Sequence, residues 1–138
     1  MPLYWTIDSR ERLVTTVADG GVRKDEMDAY LDAISGAGAG NYRKLFDGSV
    51  GEPLMDSDEI MSLAVRMRGM QQLGLAGPLA IVMPREKYDT FARMLGILAV
   101  PDRPMRFFTD AAAARAWLDE PEVRDWAADA PEGDQAVS

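Results

Sequence analysis

The stretch Tyr42-Arg43-Lys44-Leu45-Phe46-Asp47, continued by Gly48 to Met55 and then by Asp56-Ser57-Asp58-Glu59, reads as strand, loop and helix start. Leu45-Phe46 is the apolar centre of the strand. The last four residues place a serine and three carboxylates where a helix N-terminus favours negative charge and a capping side chain. A strand that hands over to a helix in this way is the repeating joint of an open α/β sheet. Such sheets keep their working groups at the carboxyl ends of their strands.

Beyond this joint, Ile60, Leu63, Ala64, Met67 and Met70 recur at helical spacing, and Leu73-Gly74 closes that helix with Gly74 as the residue past its end. Leu79-Ala80-Ile81-Val82-Met83 is apolar without alternation, the pattern of a parallel strand covered on both faces. Pro84 opens a further helix whose stripe is Tyr88, Phe91, Ala92, Leu95 and Leu98. Pro101-Asp102-Arg103-Pro104 is a turn, Met105 to Phe108 a fifth strand, and Asp110 the cap of a helix that buries Ala113, Ala114, Trp117 and Leu118.

On the other side of the joint, Leu3 to Ile7 and Leu13 to Ala18 are strand-like and separated by a connection of hairpin length, with Asp19-Gly20-Gly21 ending the second strand. Lys24 to Ser35 carries Met27, Tyr30, Leu31 and Ile34 on one helix face. Gly36-Ala37-Gly38-Ala39-Gly40 satisfies G-x-G-x-G on paper, but it follows a helix and precedes a strand, the reverse of a phosphate-binding loop, and so reads as a connector.

The element order is β-β-α-β-α-β-α-β-α, which predicts an α/β fold with a single mixed five-stranded sheet, right-handed crossovers and one antiparallel edge. Residues 1–120 form the domain. Residues 121–138 are expected to be an acidic, partly disordered tail in which Val123 and Trp126 dock loosely.

Composition narrows the chemistry. A chain of 138 residues that is 47% hydrophobic and 28% charged is the size and balance of one soluble domain. Its net charge of −8 sits mostly at the end, where seven acids and one base follow from Asp119 onward, and no basic footprint for nucleic acid is present. No apolar run is long enough for a membrane span. The first residues lead directly into a strand rather than a secretory signal, so a cytoplasmic protein is expected. With no histidine and no cysteine, the sequence excludes imidazole or thiolate metal sites, Ser-His-Asp triads and Cys-His nucleophiles. Oxygen-liganded Mg²⁺ or Ca²⁺ and carboxylate or lysine acid–base chemistry remain, and nothing calls for a cofactor.

The succession of elements, with Met55-Asp56-Ser57-Asp58 at the junction of third strand and second helix, resembles the STAS fold of bacterial anti-sigma-factor antagonists over residues 3–118. It looks most similar to the SpoIIAA-like branch, sometimes grouped as STAS/SEC14-type. In those antagonists an Asp-Ser pair at this junction carries a regulatory phosphoserine, so the resemblance implies that role for Ser57 and a switch on binding to a protein partner. The antagonists follow the serine with a small residue and Gly-Leu-Gly. Here Asp58-Glu59-Ile60-Met61 follow, and the added carboxylates oppose a phosphate.

Each candidate has a plainer structural role beside its functional one. Asp56 or Ser57 serves as an N-cap, with Glu59 completing a capping box. Asp47, which with Asp56 and Asp58 would make an acidic cluster for Mg²⁺, also suits an Asx-type turn before Gly48. The methionines fill cores as readily as they line adaptable clefts. Those off the main stripes, with their neighbours, are Met61, Val65, Leu75, Met94 and Ile97, and they are the candidates for a ligand cleft or a dimer contact. The leading expectation is a non-enzymatic module that binds a protein partner, or itself, through Gly48–Met61. The alternative is a carrier of an apolar or lipid-like ligand in a Met/Leu-lined cleft, as the SEC14 likeness implies. A Mg²⁺-dependent or carboxylate enzyme comes third.

Overall fold

Strands β1 (Leu3–Asp8) and β2 (Leu13–Val22) form the antiparallel edge, in register from Leu3 opposite Ala18 to Asp8 opposite Leu13. The hairpin is closed by the Asp8 carboxylate, which accepts from the N–H groups of Arg10 at 3.0 Å and Glu11 at 2.9 Å. The computed structural model describes residues 2–90, 92–93 and 103–128. Strands β3 (Arg43–Pro53), β4 (Leu79–Val82) and β5 (Met105–Phe108) add in parallel, giving one mixed five-stranded sheet in the order β1-β2-β3-β4-β5. The chain is thus the α/β architecture that its pattern predicts.

Helices α1 (Lys24–Gly36) and α2 (Ser57–Gln72) link successive parallel strands. Crossovers of one hand put them on the same face of the sheet, where Val14, Ala18, Val22, Tyr30, Leu31, Ile34 and Leu63 are buried together. Helices α3 (Ala111–Leu118) and α4 (Pro121–Ala128) cover the opposite face, packing Ala114, Trp117, Leu118 and Val123 onto Leu13, Leu45, Ala80 and Val82. After β4 the chain makes a 3-10 turn at Arg85–Lys87 and is helical at 88–90 and 92–93. The expected stripe residues Phe91, Leu95 and Leu98 lie outside the described residues.

Two expectations change. Strand β2 does not end at Asp19-Gly20-Gly21, and Gly48 to Pro53 is not a loop. The two segments pair with each other in parallel, Asp19 opposite Val50, Gly20 opposite Gly51, Gly21 opposite Glu52 and Val22 opposite Pro53, after a register shift between Val17 and Asp19. Glycine permits the pairing. A Cβ on Gly51 would lie 2.6 Å from that of Ala18, closer than side chains ever approach. Past residue 120 the chain continues as α4, whose Val123 is only 4% exposed. Residues 129–138 lie outside the described residues.

Arg43 fastens the second layer to the hairpin. Its guanidinium donates to the carbonyls of Leu118 and Glu11, both at 2.7 Å, and pairs with Asp119 at 3.1 Å and Glu11 at 3.8 Å. A buried arginine so placed has its charge and its donors answered together.

The turn into β4 is the tightest backbone approach. A Cβ on Gly77 would collide with the main-chain carbonyl oxygens of Asn41 and Tyr42, neither of which can rotate away. Gly77→Ala is expected to destabilise the fold by about 2 kcal/mol or more, read as a lowered urea midpoint with an unchanged m-value.

Candidate functional site

Helix α2 begins at Ser57 with Asp56 as its N-cap, and its opening is a reciprocal capping box. The Asp56 carboxylate accepts the Glu59 N–H at 2.8 Å, and the Glu59 carboxylate accepts the Asp56 N–H at 3.0 Å. Two of the three carboxylates at the helix mouth are therefore engaged with backbone. Ser57 and Asp58 face solvent. The Asp47 carboxylate folds back on its own strand, accepting from the N–H of Ser49 at 3.0 Å and its hydroxyl at 2.7 Å. Among the described residues no group of three acidic side chains is placed to hold a metal ion, so Asp47 is not brought together with Asp56 and Asp58.

Met61 and Val65 lie one helical turn apart on the outer side of α2, 47% and 65% exposed, and line neither of the two chambers described below. The helix turns Leu63 and Met67 inward instead, which leaves those two on the face away from the sheet. Met94 and Ile97 lie outside the described residues.

Beneath the start of α2 is a cavity of about 160 Å³. Val22, Gly51, Glu52 and Pro53 wall it from the carboxyl ends of β2 and β3, Met55, Leu63 and Met67 from the start and inner face of α2, and Phe46, Leu79, Ile81 and Met83 from the sheet. The long pairing of β2 with β3 builds one wall, because it carries backbone past the point where β4 stops.

A second chamber of about 90 Å³ adjoins the first, and Met27, Phe46, Met67 and Leu79 line both. It contains groups that the sequence reading passed over, Lys44, Arg103 and Tyr30. Lys44 follows Arg43 on β3 and so points to the other face of the sheet. It is buried, and its ammonium donates to the carbonyls of Gly40 and Tyr42. Burial, with repulsion from Arg103 adding to it, pushes its pKa down from 10.5 to about 7. Arg103 donates through Nη1 to the Gly77 carbonyl at 3.1 Å, while its Nε is shielded from solvent and has no hydrogen-bond partner. Burial lowers its pKa to about 10. The Tyr30 hydroxyl shares a 2.8 Å hydrogen bond with Thr16, and burial raises its pKa to about 12, so it stays neutral.

No protein-family model matches the chain, and no curated protein matches it in sequence. Among solved structures it is similar to an uncharacterized protein of the DUF3478 family with a SpoIIAA-like fold from Shewanella loihica. The TM-score is 0.60 at 16% identity, over 84% of this chain and 93% of that one. The fold is SpoIIAA-like, as the order of elements implies. No helix of the described residues is long and apolar enough to cross a membrane.

The depressed Lys44 pKa has a definite linkage sign. Between about 7 and 10.5 the unfolded chain holds a proton that the folded state has released, so stability rises with pH through that window. The rise has an upper bound of about 4 to 5 kcal/mol. In Lys44→Met most of it should vanish, measured as urea midpoints at pH 6.5 and pH 10. A variant that keeps the full rise would assign the effect to another group.

Proposed function

We propose that the chain is a binding module rather than an enzyme, and that it takes a small apolar ligand in the cavity beneath the start of α2. The observation that carries this reading is a space of about 160 Å³ with a nearly continuous apolar lining. Unfilled apolar volume is destabilising, and an engineered cavity of about 150 Å³ in another protein takes a benzene-sized solute. Four of the lining side chains, Met27, Met55, Met67 and Met83, are thioethers that can reshape around a guest. The cavity also lies at the carboxyl ends of β2 and β3, where open α/β sheets bind their ligands. Native mass spectrometry of the protein as purified from cells should retain a small molecule, and Met67→Trp, which fills the cavity, should lose it. A wild-type protein that carries no ligand and takes up no apolar probe would count against the reading.

A protein partner at the rim is the second reading, supported by the exposure of large apolar side chains there. Val50 and Leu54, at the end of β3 and just after it, are 63% and 50% exposed, and Met61 and Val65 of α2 are exposed as well. Exposed apolar surface, where it is contiguous, marks interaction sites. On this reading Ser57 is the phosphoacceptor at the helix start, with Asp56 and Asp58 flanking it and Asp47 bonded to Ser49 of its own strand. The double variant Met61→Asp, Val65→Asp should abolish partner capture or self-association in cross-linking while leaving stability within about 0.5 kcal/mol. Cross-linking that is the same in both proteins would dismiss the surface.

A further inference from the structure

Arg43 and Lys44 are consecutive residues of β3, both buried, on opposite faces of the sheet, and they are treated differently. Arg43 meets two carboxylates and two carbonyls. On the other face, Lys44 and Arg103 share one chamber and make no ion pair with a carboxylate among the described residues. Among the described residues their hydrogen-bond partners are carbonyl oxygens, which satisfy donors without neutralising charge. Two of the three ammonium donors of Lys44 are used and one is left, and the Nε of Arg103 is left as well. The acidic group lining the same chamber, the Tyr30 phenol, is held protonated and already bonded to Thr16. Cations in such surroundings are stabilised by an oxyanion that accepts from both, and a carboxylate fits the arginine fork. Met27, Phe46, Met67 and Leu79 line both the chamber and the apolar cavity, so an anion held in the chamber lies next to apolar space.

We propose that the occupant is an anionic amphiphile, with a carboxylate head between Lys44 and Arg103 and a short apolar chain in the cavity under α2. The proposal rests on the ligand reading given above and adds to it the charge and orientation of the guest.

Isothermal titration calorimetry at pH 6.5 with octanoate, octyl phosphate, 1-octanol and octylammonium tests it. Octanoate should bind at least tenfold more tightly than 1-octanol, and octylammonium should not bind. Lys44→Met and Arg103→Met should each weaken octanoate at least tenfold while leaving 1-octanol within twofold. Equal affinity for octanoate and 1-octanol, or octanoate affinity unchanged in both variants, overturns the head-group assignment and leaves the apolar-ligand reading standing. Tighter binding of octyl phosphate than octanoate overturns the carboxylate in favour of a phosphate. If none of the four binds, the apolar-ligand reading falls and this proposal with it. Should the variants not fold, carbon-13 NMR of carboxyl-labelled octanoate on the wild-type protein decides the matter. The bound carboxyl should stay ionised to a lower pH than the free acid, and one that titrates at or above the free value overturns the proposal.

Discussion

The parallel pairing of β2 with β3 is the constraint on which the rest of the molecule depends. It runs from Leu13 opposite Arg43 to Val22 opposite Pro53, through a register shift that keeps the pairing alive past the end of the other strands. Backbone hydrogen bonding alone does not explain its length. The two strands can lie this close near their ends because Gly51 sets no Cβ against Ala18. From this pairing follow the position of α2, which starts after β3 has run its full length, and the space left between that helix and the shorter β4.

The same pairing fixes the electrostatics. Once β3 is in register, the alternation of a strand sends Arg43 and Lys44 to opposite faces, and among the described residues counter-charges reach Arg43 only. Asp119 and Glu11 reach Arg43 from the end of α3 and from the hairpin, and both also contact Arg124, so the second layer is laced to the first at one corner. Between α1 and α2 the corresponding tie is Arg66, which pairs with Asp28 at 3.1 Å and Asp32 at 2.6 Å on a more exposed surface. A tie of that kind holds less firmly than a buried one. The two helices that roof the cavity are held together chiefly by the apolar packing of Met27, Tyr30, Leu63 and Met67.

Most of the fold is legible in the sequence because periodicity and caps agree. The stripe of Met27, Tyr30, Leu31 and Ile34, the unbroken run Leu79 to Met83, the capping pair Asp56 and Glu59 and the cap at Asp110 each specify one local structure, and each is found. The extended ribbon is not legible, because Asp19-Gly20-Gly21 and Gly48 to Pro53 carry turn chemistry when read singly. They become strand only by pairing with each other, a long-range effect that local propensity does not contain. The helix mouth was readable residue by residue, but the chamber behind it was not. Lys44 in a strand buried on both faces was the available signal, since a charge there needs an answer. Arg103, in the sequence Pro101-Asp102-Arg103-Pro104, reads as an ordinary turn residue. Its place beside Lys44 is decided by how β5 docks on β4.

The ribbon has one more consequence. Strand β1 pairs only as far as Ala18, and β4 reaches only to the level of Asp47, so the segment joining Gly20–Val22 to Gly51–Pro53 has no described strand along either margin. A two-stranded piece without neighbours is marginal by itself, and local opening begins in such places. This ladder is also one wall of the cavity. Fraying there would reshape the cavity from one side, with the remaining sheet left intact.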